Sequence, residues 1–386
     1  MRLRVLLFLL LLFLMPPFSL RAAPINETLE ISGWIPYWRA ERGVLEVLPN
    51  LHLLTTVHPF AYVVGEDGTL KDKMGMDEGP MLALREAARV EGVRFIPTVM
   101  WHDGPAIHAI LSNGEERRAL EDKIANLAKE KDFDGIDIDF EAKFAETNPY
   151  FSLFLKGLYM RMGSRWVYCT IEPRTPLSSR YDKEPAPGAG LYANNYVEIN
   201  KYCDRVQIMA YDQGSVDVKL NKKYEGPYAP VSDIMWVKKV AELAAETISK
   251  RKIVLGVPTY GYEYAVTPLS VEGYHYSLQW AFNPSYAYEL AEAWGITPQR
   301  SRGGELFFTY VPTTTPKVLD SNVPTASQAV GPVAASTQPF NILWWGDNVS
   351  IAQKAALAKD LGFRGIAIFK FDGGADKGMW GTLAGR

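Results

Sequence analysis

Short apolar runs alternate with longer amphipathic segments along most of the chain. The runs have the length of buried strands, and the segments repeat apolar residues at helical spacing. The predicted strands cover residues 31–38, 53–64, 93–101, 133–141, 166–172, 205–211, 253–258 and 365–371. The predicted helices cover residues 81–91, 115–131, 150–162, 233–250 and 350–361. Strands that alternate with helices in this way predict an α/β fold of the (β/α)8 TIM-barrel class.

The connection between the seventh and eighth predicted strands is too long for a simple loop. Residues 262–341 contain a predicted helix at 287–294 and a predicted strand at 305–311. A stretch rich in Pro, Thr, Ser and Ala follows at 312–339. We therefore predict a small α+β insertion that forms one wall of the barrel mouth, with the last stretch as a surface loop.

The beginning of the chain has the pattern of a secretory signal. Two arginines precede an apolar run at 5–15, and two alanines lie near a plausible cleavage site. The run is shorter than the roughly 20 residues that a membrane-spanning helix needs. We predict a signal peptide at 1–23 and a secreted or cell-envelope protein formed by 24–386, with an uncleaved membrane anchor as the alternative.

The composition narrows the possible partners. A net charge of −3 gives no reason to expect nucleic acid or anionic lipid. Twenty Tyr and ten Trp residues suit a surface that stacks on sugar rings, although they serve a core equally well. No Cys/His cluster has zinc spacing, and no Gly-rich phosphate loop occurs, so we expect neither a metal nor a cofactor. We also expect a monomer.

The chain contains two cysteines, Cys169 and Cys203. Export would permit a disulfide between them. Because they fall on or beside neighbouring predicted strands but at different depths, we predict two free thiols.

The fourth predicted strand carries acids on one face and apolar residues on the other. The acids are Asp137, Asp139 and Glu141, and the apolar residues are Ile136, Ile138 and Phe140. Successive side chains of a strand point to opposite faces, so the apolar face suits a layer of helices and the acids face the barrel interior. Buried carboxylates are costly, and such violations tend to occur at functional sites. From the residues alone, the acids could perform catalysis, bind a divalent cation or satisfy a polar interior.

The spacing Asp134-Gly135-x-Asp137-x-Asp139-x-Glu141 resembles the signature of the family-18 glycoside hydrolases, the chitinase-like enzymes. The resemblance favours catalysis and implies that Glu141 is the general acid. It implies that Asp139 orients the acetamido group of the sugar and stabilises an oxazolinium-like intermediate, while Asp137 holds Asp139 through a shared proton. Asp134 is out of phase with the other acids, so we assign it and Gly135 structural roles at the strand entry.

A second segment carries the same resemblance. Met209-x-Tyr211-Asp212 matches the family's Met-x-Tyr-Asp pattern at the end of the sixth strand. The match implies that Tyr211 donates a hydrogen bond to the acetamido oxygen and that Asp212 contacts the sugar.

Aromatic residues near predicted strand ends are further candidates for sugar binding, with core packing as the alternative for each. They are Trp38, Trp101, Tyr260 and Trp344. His102 and Asp103 lie at the predicted mouth of the third strand.

The chain departs from the family pattern at two places. The usual Ser-x-Gly-Gly after strand three is absent. The segment Ile368-Phe369-Lys370-Phe371-Asp372 has Phe or Lys where strand eight usually ends with a Trp that floors the central subsite. The resemblance therefore implies a retaining, substrate-assisted hydrolase of N-acetylglucosamine-containing glycans, with chitin and peptidoglycan both open. Within the family, the chain most resembles the spore-cortex-lytic members. Lys370 favours the alternative of an inactive, lectin-like glycan-binding protein, whereas the presence of Glu141 favours the enzyme.

Overall fold

The computed structural model describes residues 29–270, 273–312, 326–329 and 338–385. The predicted signal peptide lies outside the described residues, as does most of the predicted loop at 312–339. No helix in the described part of the chain is both long and apolar enough to span a bilayer.

Strands and helices alternate along the described chain. The strands are β1 (Glu30–Pro36), β2 (Thr56–Val64), β3 (Leu70–Asp72), β4 (Arg94–Phe95), β5 (Thr98–Trp101), β6 (Gly135–Phe140), β7 (Trp166–Ile171), β8 (Arg205–Ile208), β9 (Ile253–Pro258), β10 (Gly261–Pro268), β11 (Tyr274–Phe282), β12 (Gln299–Arg300), β13 (Leu306–Pro312), β14 (Ala326–Ala329), β15 (Phe340–Trp345) and β16 (Gly365–Phe369). The α-helices are α1 (Ala40–Val47), α2 (Gly79–Glu91), α3 (Gly104–Ser112), α4 (Gly114–Glu130), α5 (Asn148–Met162), α6 (Leu177–Arg180), α7 (Tyr196–Tyr202), α8 (Val218–Lys223), α9 (Ile234–Ala245), α10 (Pro284–Ala293), α11 (Asn348–Asp360) and α12 (Met379–Ala384). Short 3₁₀ helices cover Tyr37–Arg39, Leu48–Leu53 and Ala145–Thr147.

Parallel strands close into a barrel. The order is β1-β16-β9-β8-β7-β6-β5-β2, and β1 also pairs with β2. The predicted (β/α)8 barrel is therefore confirmed. Its fourth strand is β6, as the alternation of acids and apolar residues predicted.

The two faces of β6 divide as expected. Ile136, Ile138 and Phe140 are fully buried in the main hydrophobic core outside the barrel. The ring of Phe140 stacks on Phe154 of α5 at 5.2 Å between centroids. The acids are consequently directed towards the barrel interior, because neighbouring side chains of a strand alternate.

The third barrel strand is shorter than predicted. Residues 93–101 form β4 and β5 with a break at Pro97, because proline has no N–H to donate to the ladder. Asp103 then accepts a hydrogen bond from the N–H of Ala106 at 3.0 Å and caps α3.

The prediction of two free thiols is wrong. Cys169 and Cys203 form a disulfide, with their Cα atoms 5.9 Å apart. Cys203 directly follows α7 and therefore still lies in the helix layer, while Cys169 points outward from β7 into that layer. The two residues are at the same depth because the chain has not yet entered β8 at Cys203.

The insertion between β9 and α11 is a second, antiparallel sheet. Its order is β11-β10-β15-β13-β12, with β14 paired to β13 and α10 packed against it. The sequence predicted its helix and the strand at 305–311 but missed β10, β11 and β15. The expected loop at 312–339 is wrong at Ala326–Ala329, which form β14.

Candidate active site

Two cavities are lined by residues that follow or end the barrel strands, among them several predicted site residues. One cavity of about 590 Å³ is lined in part by Trp38, Asp212 and Tyr260, and another of about 690 Å³ is lined in part by His102. Glu141 follows β6 directly and experiences the charges of both Asp212 and His102. The residues predicted for catalysis are therefore brought together at the carboxyl ends of the strands, where barrel enzymes act.

Asp137 is fully buried and held by neutral donors. Its carboxylate accepts hydrogen bonds from Thr98 Oγ1 at 2.7 Å, Thr170 Oγ1 at 2.8 Å and Trp34 Nε1 at 3.0 Å. No hydrogen bond joins Asp137 to Asp139 among the described residues, and both oxygens of Asp137 instead accept hydrogen bonds from side chains of β1, β5 and β7. The shared proton between the two acids stays a prediction. Thr98 supplies a hydroxyl from the strand whose usual Ser-x-Gly-Gly sequence is absent.

Asp139 has the opposite environment. It is 3% exposed, and its Oδ1 atom is buried without a hydrogen-bond partner among the described residues. Burial raises its pKa well above the usual value, and the charges of Glu141 and Asp137 add to the increase. An unpartnered buried carboxyl oxygen is ready to accept a hydrogen bond from a ligand.

Glu141 is partly exposed and suited to hold a proton. Its Oε2 atom lies 3.7 Å from Nδ1 of His102, and 30% of its side chain is exposed. Burial raises its pKa above the usual value, and the charge of Glu172 raises it further, while His102 and Lys143 oppose the shift. A carboxyl group with a raised pKa can act as a general acid near neutral pH.

A polar group beside Glu141 was not predicted as part of the site. Lys143 Nζ lies 3.2 Å from Oε1 of Glu172, and Asn194 donates to Glu172 Oε2 at 2.5 Å. Only 1% of the Lys143 side chain is exposed. Glu172 ends the fifth barrel strand, so a charged residue directly after an apolar strand was a signal that could have identified it.

Tyr211 lies against the ring that closes the bottom of the site. It is buried, and it stacks on Phe369 with 5.4 Å between ring centroids and 17° between planes. Burial raises its pKa well above the usual value, and the charge of Asp139 raises it further, so the phenol keeps its proton. Phe369 is the last residue of β16, the strand at whose end a Trp was expected.

Lys370 turns aside from this floor. Its ammonium pairs with Asp372 and donates to Oδ1 of Asn283 at 3.1 Å. Its backbone N–H donates to Oγ1 of Thr259 at 2.8 Å.

Asp212 stands beyond the end of β8 in a left-handed conformation, with φ of 59°. Its Oδ1 atom accepts hydrogen bonds from the hydroxyls of Tyr260 and Tyr262. Tyr260 and Tyr262 both line the first cavity, as does Asp212 itself. Tyr260 thus lines a cavity, and its contact with a sugar stays a prediction.

The predicted tryptophans separate into two groups. Trp38 is 49% exposed and lines the first cavity together with Trp280, which was not predicted and is 46% exposed. Trp101 is 2% exposed and its ring packs on Phe140, so the expectation that it stacks on a sugar is wrong. The same expectation for Trp344 is also wrong, because this residue is fully buried in the insertion. Both side chains pack in hydrophobic clusters of the described chain.

Asp134 and Gly135 have structural surroundings. Asp134 Oδ2 accepts a hydrogen bond from the N–H of Phe95 at 2.8 Å, which ties the start of β6 to β4. A Cβ atom at Gly135 would collide with the carbonyl oxygen of Trp166. Within the described ranges, no three His, Cys, Asp or Glu side chains are arranged to hold a metal ion.

Comparisons with known proteins relate this chain to glycosyl hydrolases. The family model described as "Glycosyl hydrolases family 18" matches residues 31–374. The "Cortical fragment-lytic enzyme" of Bacillus subtilis is 24% identical over 364 residues, which cover 92% of this chain and 72% of that protein. The "Uncharacterized glycosylase YvbX" of the same organism is 27% identical over 164 residues, which cover 42% of this chain and 44% of that protein. This second match thus spans less than half of the relative.

A solved structure shares the fold. The spore cortex-lytic enzyme SleL of Bacillus megaterium QM B1551 superposes with a TM-score of 0.67 at 24% identity. The match covers 94% of this chain and 75% of that one.

Proposed function

Because the chain belongs to family 18 of the glycosyl hydrolases and is therefore a glycosidase, we propose that its substrates are glycans with β-linked N-acetylglucosamine. We propose a retaining mechanism in which the N-acetyl group of the sugar is the nucleophile. The observation that carries this proposal is the buried Oδ1 atom of Asp139, which has no hydrogen-bond partner among the described residues.

Glu141 donates the proton to the leaving glycosidic oxygen. Its raised pKa keeps it protonated for this step, and its exposed portion lets it reach the bond. Because Glu141 follows β6 at the barrel mouth, a sugar bound over the strand ends would lie within its reach.

The opposite face of the sugar needs a nucleophile that this strand cannot supply. Asp139 lies on the same strand and the same face as Glu141, so it flanks the acid and does not face it across the ring. Asp139 instead accepts the acetamido N–H through its unpartnered oxygen, and this turns the acetamido oxygen towards the anomeric carbon. The positive charge of the cyclised intermediate favours the ionised form of Asp139, which then stabilises that charge.

Tyr211 and Phe369 complete the subsite. Tyr211 keeps its hydroxyl proton and donates it as a hydrogen bond to the acetamido oxygen. Phe369 provides the apolar floor that a Trp supplies in other members, and its smaller ring leaves more room. Lys370, which favoured a lectin-like protein, is tied to Asp372 and Asn283 away from that floor.

We also propose that the protein acts outside the cytoplasm, in the extracellular space or the cell envelope. The disulfide between Cys169 and Cys203 supports this location, because such bonds persist in oxidising compartments. The apolar run at 5–15 supports it from the sequence.

The test is hydrolysis of a fluorogenic chitobioside and a chitotetraoside by the parent protein and by Glu141→Gln. We expect the parent to release fluorophore and the variant to lose at least about 100-fold in kcat. Glu146→Gln, an exposed position five residues further on, is the control and should retain activity. A de-N-acetylated chitobioside should not react, because it lacks the nucleophile.

Saturable binding of these oligosaccharides without any turnover by the parent would place the chain among glycan-binding proteins. Equal rates on the acetylated and de-N-acetylated substrates would contradict the substrate-assisted mechanism.

A further inference from the structure

Two arginines line the first cavity beside the proposed sugar subsite. Arg39 and Arg42 share this cavity with Asp212 and Tyr260. Both are exposed, and neither forms a hydrogen bond or ion pair with any residue that the structure describes. Arg39 is the N-cap residue of α1 and Arg42 lies in the first turn of that helix, and because both line the same cavity they can act on one ligand.

The other charged side chains of this cavity already have partners. Asp212 accepts hydrogen bonds from two tyrosine hydroxyls. Asp372 is 2% exposed and is held by Lys370 and Asn283. Within the described residues, neither arginine forms an ion pair with Asp212 or Asp372, the two acids that share the cavity. An uncompensated pair of guanidinium groups in a cleft attracts and orients an anion.

Aromatic rings beside the arginines suit a sugar. Trp38 directly precedes Arg39 and is held edge-on by Tyr37 at 4.9 Å between ring centroids. Trp280 donates its indole N–H to Glu263 at 2.7 Å, which fixes the second exposed ring of the cavity. A sugar placed between these rings would carry its substituents to the guanidinium groups.

We propose that Arg39 and Arg42 form an anion subsite that takes a carboxylate borne by the glycan. This inference rests on the proposed function and names its substrate class: an acidic N-acetylglucosamine-containing glycan of the peptidoglycan type, in preference to neutral chitin. The carboxylate belongs either to the lactyl ether of N-acetylmuramic acid or to a peptide attached to it. Planar guanidinium groups recognise carboxylates through paired hydrogen bonds.

The experiment compares three substrates. They are neutral chitotetraoside, a peptide-free tetrasaccharide of alternating N-acetylglucosamine and N-acetylmuramic acid, and the same tetrasaccharide with its peptides. The proteins are the parent, Arg39→Gln/Arg42→Gln and the control Arg118→Gln, which removes an exposed arginine on α4. The readout is the ratio of kcat/KM on each acidic glycan to that on the neutral one, at low and high salt.

We expect the double variant to lower this ratio roughly tenfold and the control to leave it unchanged. Added salt should lower the ratio of the parent more than that of the double variant. If the ratio falls more for the peptide-free glycan, the subsite binds the lactyl carboxylate. If it falls more for the peptide-bearing glycan, the subsite binds a carboxylate of the peptide.

An unchanged ratio in the double variant would overturn the subsite and leave the glycosidase intact. Failure of the parent to hydrolyse any of the three substrates would contradict the proposed function instead. In that case, calorimetry measures how tightly the same proteins bind the acidic tetrasaccharides. Equal affinity of the parent and the double variant would overturn the anion subsite.

Discussion

Asp137 and Asp139 are neighbours on one face of β6, but their different surroundings give them different roles. Asp137 receives hydrogen bonds from Trp34, Thr98 and Thr170, so its negative charge is matched by three fixed donors. Asp139 is equally buried but keeps an oxygen without a partner. An unpaired buried polar atom costs stability, which the fold tolerates where a ligand supplies the missing bond.

This difference predicts opposite effects of removing the two charges. Asp137→Asn should lower the free energy of unfolding by about 2 kcal/mol, because an amide NH₂ would face a donor in a buried network. Asp139→Asn should leave stability equal or increased, because it removes a buried charge, while kcat falls at least about 100-fold. Urea unfolding and chitobioside hydrolysis of both variants provide the check. A strong loss of stability in Asp139→Asn would mean that its carboxylate has a structural partner.

The ion pair of Lys143 with Glu172 predicts shifts of the pH profile in both directions. The general acid must be protonated, so activity falls as pH rises through the pKa of Glu141. The charge of Glu172 raises that pKa and the charge of Lys143 lowers it. Glu172→Gln should therefore move the alkaline limb of kcat to lower pH, and Lys143→Met should move it to higher pH. If the pH profiles of both variants shift in the same direction, the Lys143–Glu172 pair acts only by holding the chain that follows β6 in place.

At the scale of elements, the sequence predicted most accurately what depends on local pattern. The alternation of acids and apolar residues on β6 determined which face met the helices, because burial repeats every second residue. The helix α10 and the strand β13 were also predicted, because helices and strands each bury residues at their own local period. Pro97 lies at the break in the third strand, where one continuous strand over 93–101 was predicted.

Features that depend on long-range pairing were not predictable from local pattern. Trp344 reads as a strand-end aromatic, but its partner strands β10 and β13 bury it completely in the insertion. Lys143 and Glu172 meet only because neighbouring barrel strands bring their ends together. Cys203 looked misplaced because its depth depends on where α7 ends and β8 begins.

The disulfide predicts a measurable stabilisation of the α7 region. It joins residues 34 positions apart, and a constraint of this length on the unfolded chain is worth about 4 kcal/mol. Cys169→Ala/Cys203→Ala should lower the free energy of urea unfolding by about this amount. Dithiothreitol should produce a comparable loss in the parent and none in the double variant. An equal loss of stability in both proteins would mean that dithiothreitol does not act by reducing this disulfide.

At the scale of the whole molecule, a charged cluster links distant parts of the chain at the amino ends of the barrel strands. Glu30, at the start of β1, accepts hydrogen bonds from Arg205 at 2.7 Å and Arg94 at 3.0 Å, and Nε of Arg364 lies 2.9 Å from its carboxylate. Arg94 and Arg205 also lie over the ring of Trp166 at 4.6 and 4.9 Å. The cluster therefore connects strands from the beginning, middle and end of the chain across the closed barrel.

This cluster predicts how global stability depends on pH. Burial alone would raise the pKa of Glu30, but the hydrogen bond and charge of Arg205, together with Arg94 and Arg364, lower it to about 2 from an unfolded value of 4.5. A lowered native pKa stabilises the fold above the unfolded pKa, and the contribution disappears as pH falls from about 4.5 through about 2. Glu30→Gln should therefore cost about 3 kcal/mol at pH 7 and less than half of that near pH 3.

Urea unfolding of the parent, Glu30→Gln and Glu289→Gln at both pH values separates this cluster from net charge. Glu289 is exposed on α10 and forms no ion pair with the residues that the structure describes, so its variant changes the same charge without touching the barrel. We expect it to follow the parent at both pH values. A cost of Glu30→Gln that stays constant between pH 7 and pH 3 would mean that packing, and not the ionised carboxylate, holds the three arginines together. A cost that shrinks as predicted would show that one carboxylate at the start of the chain stabilises the closed barrel.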